Sequence, residues 1–141
     1  MDGYWFKSTK FEIEPGEDDE INPGIYGRQL AKWLKQRLEE KHYLVEDIIN
    51  EDWGRCLMCN REPFKLWVGC ANTSNGLALQ QHSPPPKEDI VWRCFVVAEV
   101  PHYIRFLRKI DTAPAIAKLY ADLGEILRSE ATVMLVEETQ N

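Results

Sequence analysis

The sequence predicts an α+β domain in which a mainly antiparallel sheet of about five strands carries two long helices packed on one face. Two long segments have apolar residues three and four positions apart, which is the spacing of one helix face. Several shorter segments are rich in aromatic and β-branched residues and are separated by short turns, which favours antiparallel neighbours because a parallel crossover needs a dozen residues or more. The 141 residues are close to the commonest size of one domain, so we expect residues 1–141 to form a single unit.

The N-terminal third of the chain combines a strand, an acidic loop and a helix. Residues Tyr4 to Ile13 alternate loosely between aromatic and polar types, and we interpret them as a strand at an edge of the sheet. The segment from Glu12 to Glu20, here called the acidic loop, holds six acidic residues and no basic one, and we expect it to be exposed. From Ile25 to about His42 the helical period is clearest, with Trp33 directed into the core.

Three short segments in the middle of the chain are predicted to form an antiparallel meander. They are Tyr43–Ile49, Trp53–Asn60 and Phe64–Cys70. The connections between them, residues 50–52 and 61–63, are turns of three residues and are too short for the crossover that parallel neighbours need.

The second half of the chain begins with a long loop, residues 71–89, which contains three consecutive prolines that favour an extended conformation. The run from Ile90 to Val100 has the strongest strand character and is predicted to be central in the sheet. A short helix is expected within residues 101–110, and a second long helix from Pro114 to Arg128. The tail from Thr132 to Val136 is equally compatible with a strand and with a packed loop.

The charge of the chain excludes some classes of partner. There are 23 acidic and 17 basic residues, which give a net charge of -6. Binding to nucleic acid backbones relies on an excess of basic residues, so we expect no nucleic acid partner. No apolar run is long enough to span a membrane, and the start at Met1-Asp2 lacks the basic and apolar regions of a signal peptide. We therefore expect a cytoplasmic protein with reduced thiols and no membrane partner.

Four cysteines raise the question of a metal or redox site. Cys56 and Cys59 form a CxxC pair that Cys70 and Cys94 could complete as zinc ligands. Residues three apart in a strand face opposite sides, however, and no helix follows Cys59 to lower a thiol pKa. We therefore expect buried or half-buried thiols, no metal and no cofactor.

The candidates for acid–base chemistry lie at the end of the central strand. Glu99 and His102 are close enough in sequence to form a catalytic pair, and Arg105 could hold an anionic ligand beside them. A catalytic role for these three residues would require a cleft between the sheet and the loop at residues 71–89. Solvated side chains are the simpler interpretation, because charged residues at a strand exit are common and no partner at ligand spacing accompanies His102.

Tryptophans and the acidic loop are the candidates for binding another molecule. The turn Asp52-Trp53-Gly54 can place Trp53 over the sheet, where it could form an aromatic cluster with Trp67 and Trp92. Such a cluster would be a binding patch if exposed and ordinary core if buried, and burial is the favoured interpretation. In the acidic loop, Glu17, Asp18 and Asp19 are the residues expected to contact a basic protein partner.

Three segments of the chain, GRQLAKWL from Gly27, EDWG from Glu51 and LWVGC from Leu66, resemble a group of short, uncharacterised bacterial proteins. The resemblance covers the first half of the chain and implies a bacterial cytosolic domain, but it carries no activity. In the absence of a catalytic motif, we expect a noncatalytic protein-binding domain, similar to an immunity or inhibitor protein with a basic partner. The alternative is a small enzyme or small-ligand-binding domain with its cleft near the 71–89 loop.

Overall fold

A computed structural model describes residues 2–73, 85–105 and 109–138 of the chain. Six strands form one antiparallel sheet, and two long helices and one short helix accompany it. The strands are β1 (Asp2–Ser8), β2 (Ile49–Glu51), β3 (Gly54–Asn60), β4 (Lys65–Asn72), β5 (Trp92–Glu99) and β6 (Val133–Val136). The helices are α1 (Arg28–Glu40), α2 (His102–Arg105) and α3 (Ala113–Ser129).

The strands lie in the order β2-β3-β4-β5-β1-β6, and every neighbouring pair is antiparallel. The antiparallel order β2-β3-β4 and the interior position of β5 confirm the predicted three-stranded meander and the predicted central strand, although β2 begins only at Ile49. The edge assignment of the first strand was wrong, because the C-terminal tail forms β6 and pairs with β1 on its outer side. The α+β class is thus confirmed with six strands instead of about five.

The sheet has two faces of different character, which follow from the alternation of side chains along each strand. One face carries Leu57, Val68, Trp92 and Phe6, and these pack with the apolar faces of α1 and α3 into the main core. We call this the helix face. Because side chains alternate along a strand and residues opposite each other in the register share a face, the residues at the alternate positions, such as Trp5, Cys56, Trp67 and Phe95, lie on the other side, which we call the outer face.

The long helix α3 contains a glycine that the packing requires. A Cβ atom built at Gly124 would lie only 2.3 Å from the hydroxyl oxygen of Tyr4. The hydroxyl group of Tyr4 donates a hydrogen bond to the carbonyl oxygen of Tyr120 at 2.9 Å, and the two tyrosine rings stack with their centroids 4.5 Å apart. The low helix propensity of Gly124 is therefore offset by close packing of α3 on β1.

The predicted strand Tyr43–Ile49 is the main error in the secondary structure. Only Ile49 belongs to a strand, while Tyr43 and Val45 belong to the connection after α1. Val45 is buried, and Tyr43 donates a hydrogen bond from its hydroxyl group to Asp122 Oδ2 of α3 at 2.5 Å. The apolar composition of this segment therefore reflects packing against the helices and not pairing in the sheet.

Several predictions about the second half of the chain fall partly outside the described residues. The central part of the predicted 71–89 loop, residues 74–84, is one such region, and residues 106–108 of the predicted short helix are another. Within the described residues, no helix has both the length and the apolar character needed to cross a membrane.

Candidate functional site

The outer face of the sheet carries a row of large aromatic side chains. Trp53 stacks on Trp67 with ring centroids 5.6 Å apart, and both contact Phe95, at 5.3 Å and 5.9 Å respectively. The guanidinium of Arg93 lies 4.4 Å from the centroid of Phe95 and 5.7 Å from that of Trp5. This arrangement of rings and guanidinium, here called the aromatic row, extends across four strands or their adjoining turns.

Trp53 and Trp67 of the aromatic row lie on the outer face of the sheet. Trp53 and Trp67 are half-buried and do not belong to the core under the helices, so the expectation that they are ordinary core was wrong. The expected third member, Trp92, has no exposed surface and lies on the helix face, opposite Phe6 of β1. Its place in the cluster is taken by Phe95.

Phe95 was not predicted as a site residue, although the alternation of side chains along a strand indicates its position. Residues three apart in a strand face opposite sides, so Trp92 and Phe95 cannot share a face. The same argument separates the two thiols of the CxxC pair. Applied to β5, it predicts Phe95 and not Trp92 beside Trp67.

A cavity of about 310 Å³ lies on the outer face against the aromatic row. Its size is at the lower end of the range of ligand pockets. The residues lining it are apolar at the floor and charged at the rim: Ile49, Glu51, Trp53, Cys56, Met58, Arg61, Lys65, Trp67 and Glu99. Arg61 forms an ion pair with Glu46 at 2.6 Å, whereas Glu51 has no ion pair with any described residue.

A second cavity, of about 360 Å³, adjoins the first and shares Lys65 and Glu99 with it. His102 also lines this cavity, so the structure brings together two of the three residues considered for acid–base chemistry. Both Glu99 and His102 are exposed, and neither side chain forms a hydrogen bond with a described residue. The side chain of Arg105 lies outside the described part of the structure.

The predicted cleft beside the 71–89 loop falls on residues 74–84, outside the described part of the chain, and the described ends of the loop lie far from Glu99. The 71–89 loop leaves the sheet after Asn72 and returns before Trp92, and these two residues are paired at one end of β4 and β5. Glu99 is paired with Lys65 at the opposite end. At about 3.3 Å per residue, seven residues place Glu99 roughly 23 Å along the strand from Trp92.

The acidic loop is only partly exposed, contrary to the sequence prediction. Glu17 has no exposed surface, and its Oε1 accepts hydrogen bonds from the backbone N–H groups of Gly27 at 2.7 Å and Arg28 at 3.1 Å. Its Oε2 accepts one from the N–H of Glu14 at 2.6 Å. Glu17 therefore caps the start of α1, where a carboxylate is favoured by the helix dipole.

The same carboxylate lies beside a buried cation. Arg55 of β3 is almost fully buried, and its Nη1 is 4.0 Å from Glu17 Oε1, while its Nη2 is 3.5 Å from Glu20 Oε2. Glu20 also contacts Arg28, which forms a further ion pair with Glu14 at 3.0 Å. Three of the acids of the loop thus compensate cations of the fold and are not free for a partner.

The segment that follows the acidic loop contacts the turn that carries Trp53. Asn22 Nδ2 donates a hydrogen bond to the carbonyl oxygen of Asp52 at 3.2 Å, which joins the end of the loop to the β2–β3 turn. The carboxylate of Asp18 is half-buried and accepts a hydrogen bond from the N–H of Gly24, but the carboxylate of Asp19 is exposed and forms no hydrogen bond or ion pair with a described residue. The structure thus brings two groups of predicted binding residues, the acidic loop and Trp53, to one corner of the sheet.

The sheet separates Cys56 from the other three cysteines. Cys56 lies on the outer face at the first cavity, and Cys59 packs against the core on the helix face. Burial raises the pKa of each of these thiols to about 12, and nearby Glu51 adds to the effect at Cys56.

Cys70 and Cys94 are paired across β4 and β5, and their mutual hydrogen bond together with burial raises the pKa of Cys70. Among the described residues, no group of three or more His, Cys, Asp or Glu residues has the arrangement of a metal site.

Comparison of the chain with protein-family models, with curated proteins and with solved structures gave no match.

Proposed function

We propose that the chain is a noncatalytic protein-binding domain of the bacterial cytosol and that the outer face of its sheet is the binding surface. The observation that carries this proposal is the half-exposed stack of Trp53 on Trp67 beside a cavity, on a face that no described helix covers. Tryptophans of this kind are the residues that contribute most to protein–protein affinity, because they bury a large area at low entropic cost.

The charge near the stack indicates the kind of partner. Glu51 and Asp52, which directly precede Trp53, have exposed carboxylates, and Glu51 lines the same cavity as Trp53. A basic protein surface complements them, as expected for an inhibitor or immunity protein whose own charge is negative. The contact is thereby assigned to the corner of the sheet and not to the acidic loop alone, since Glu17 is buried.

The test begins with capture of binding proteins from the host and continues with purified components. A captured protein is titrated by calorimetry against the wild type, Trp67→Ala and Trp53→Ala, with Met134→Ala as control, because Met134 is 60% exposed and lies on β6, at the edge of the sheet opposite to β2. We expect each tryptophan substitution to weaken binding by about 2 kcal/mol, or roughly 30-fold, and the control to change it less than about two-fold.

The proposal fails if the host yields no specific partner or if both tryptophan variants, shown by circular dichroism to be folded, bind as well as the wild type. Two tryptophan variants are used because Trp67 packs directly on Phe95 and its removal can perturb the sheet. Trp53 belongs to a turn, so its substitution disturbs the strands less.

The second cavity supports a different candidate, a small-ligand-binding domain or enzyme using Glu99, His102 and Lys65. The specific observation in its favour is that these polar side chains line one cavity of about 360 Å³. Ligand screening by thermal shift tests it. A compound that raises the melting temperature of the wild type but not of His102→Ala would favour this function over protein binding.

A further inference from the structure

The first cavity, beside the aromatic row, has a buried apolar floor. Cys56 and Met58 of β3 line it and are only 4% and 5% exposed. Ile49 of β2 and the stacked pair Trp53 and Trp67 line it as half-buried walls. An apolar group that enters this space removes its own surface and that of the lining from water, which is favourable. The cavity therefore suits an apolar guest at its base.

The size of the cavity limits the guest to one side chain. Its volume of about 310 Å³ is at the lower end of the range of ligand pockets. The cavity is also part of the proposed binding surface, because Trp53 and Trp67 belong to both. In protein interfaces the pockets at the centre of the contact are filled by single large side chains of the partner. The expected guest is thus an anchor residue of the partner.

The lining favours an aromatic ring over an aliphatic chain. A ring that packs on Trp53 or Trp67 gains stacking or edge contacts in addition to the burial of its area. Met58 contributes a thioether, and sulfur makes favourable contacts with the edges of aromatic rings. Phe95 already contacts both tryptophans in this way, at 5.3 Å and 5.9 Å between centroids. A ring from the partner would therefore extend the aromatic row.

The charges at the rim of the cavity oppose a guest that is itself charged. Glu51 and Glu99 provide carboxylates there, whereas Arg61 and Lys65 provide cations. Lys65 and Glu99 are directly paired across β4 and β5, so charges of opposite sign are neighbours. A cation entering the cavity would meet cations as well as carboxylates, and the same holds for an anion, so the cost of desolvating either is poorly compensated. The rim thus selects a neutral guest.

We propose that the first cavity binds a neutral aromatic side chain of the protein partner, with its ring against Trp53 and Trp67 and above Met58. This inference rests on the proposed protein-binding function and specifies the chemistry of the anchor residue. The partner is a protein that presents a phenylalanine, tyrosine or tryptophan to this cavity.

The tyrosine side-chain analogue p-cresol tests the inference on the full chain. Methionine methyl groups are labelled with ¹³C, and the signal of Met58 is followed by NMR as p-cresol is added. Met134 is the internal control, because it is exposed on β6 at the opposite edge of the sheet. Three comparison probes are similar in size to p-cresol: 4-methylcyclohexanol, which is not aromatic, 4-methylbenzoate, which is an anion, and 4-methylbenzylammonium, which is a cation.

Two variants test where p-cresol binds. Ile49→Trp fills the cavity from β2, and its matched control, Met134→Trp, adds the same indole group to β6 while Met58 remains the reporter. Trp53→Ala removes one wall of the cavity and lies in a turn, so it keeps the test valid if Ile49→Trp does not fold. Circular dichroism shows which variants are folded.

We expect p-cresol to shift the Met58 signal and not the Met134 signal, and each comparison probe to bind at least about three-fold more weakly. Ile49→Trp and Trp53→Ala should each weaken p-cresol binding at least about three-fold, and Met134→Trp less than about two-fold. Absence of a Met58 shift, or equal losses in the cavity and control variants, would overturn the inference.

The other probes test the chemistry of the guest. Binding of 4-methylcyclohexanol as tight as that of p-cresol would overturn the preference for an aromatic ring, and tighter binding of either charged probe would overturn the preference for a neutral one. A Met58 signal that shifts with protein concentration in the absence of any probe would show that a second copy of the chain occupies the cavity, which would overturn its assignment to another protein.

The outcome also separates this inference from the proposed function. If p-cresol does not bind but the natural partner is lost in Trp67→Ala, the protein-binding function stands and the aromatic anchor is wrong. If p-cresol binds in the cavity while both tryptophan variants retain the natural partner, the preference of the cavity for an aromatic ring stands and the proposed binding surface is wrong.

Discussion

The ring of Phe95 occupies the space that a side chain at Gly69 would need. The two residues are directly opposite each other on β5 and β4, and a Cβ atom built at Gly69 would lie 2.2 Å from Phe95 Cζ. Phe95 can therefore lie flat on the sheet, where Trp53 and Trp67 contact it from the cavity side. The aromatic row depends on the absence of a side chain at a single position.

Gly69→Ala is expected to destabilise the protein by about 1–3 kcal/mol, because the added methyl group forces Phe95 away from the sheet. The measurement is urea unfolding followed by tryptophan fluorescence, which also reports displacement of Trp53 and Trp67. In a Phe95→Leu background the same substitution should cost roughly half as much or less, since the ring is missing. An equal cost in both backgrounds would contradict the assigned contact.

Glu17→Gln is expected to destabilise the protein by about 3 kcal/mol, since it leaves the buried guanidinium of Arg55 with weaker compensation and weakens the cap of α1. The free energy of unfolding is obtained from urea titrations. The matched control is Asp19→Asn in the same loop, which removes an exposed charge and should leave the unfolding midpoint unchanged. Equal effects of the two substitutions would show that the loop acts through its net charge and not through the buried carboxylate.

The helices and the meander could be predicted because their signals are local. The apolar faces of α1 and α3 repeat within each helix, and the turns around β3 and β4 contain residues that end strands. The segment after α1 was misread because Tyr43 and Val45 have strand propensity but use their side chains to pack against helices. Propensity alone does not distinguish these two environments.

Two members of the site were predictable, but Phe95 and the arrangement of the site were not. Trp53 and Trp67 were named from the sequence, but the contact between Asn22 and Asp52 joins segments 30 residues apart and has no local signal. The burial of Glu17 is similarly hidden, because an acidic residue in an acidic segment is normally exposed. Its role depends on where Arg55 and the start of α1 lie in the fold.

Stability should decrease between pH 10 and about pH 12 in a way that depends on Tyr43. Burial, assisted by the hydrogen bond to Asp122, raises the pKa of Tyr43 from 10.0 to about 12. Because the pKa of Tyr43 is higher in the folded than in the unfolded protein, its contribution to stability is fully present below the pKa of tyrosine in the unfolded chain. This contribution is lost as the pH rises through the pKa of Tyr43 in the folded protein.

The measurement compares the wild type with Tyr43→Phe over this pH range, using urea unfolding and the ultraviolet absorbance of tyrosinate. We expect the difference in stability between the two proteins to shrink as the pH approaches 12. Tyr4 and Tyr26 also have raised pKa values, chiefly because of burial, so they serve as the common background in both proteins. A difference that stays constant with pH would contradict the assigned environment of Tyr43.

The thiols should be slow to react with iodoacetamide at pH 8, because the reactive form is the thiolate. Burial raises the pKa of Cys56 and Cys59 to about 12, and the hydrogen bond with Cys94, with burial, raises that of Cys70. We expect alkylation of the folded protein to be at least about 100-fold slower than in urea, with Cys59 the first to react because it alone is half-buried. Peptide mapping by mass spectrometry assigns each rate. If a chelator removed the protection of both Cys56 and Cys59, the two thiols would share a metal ion. Their positions on opposite faces of β3 argue against such a shared ion.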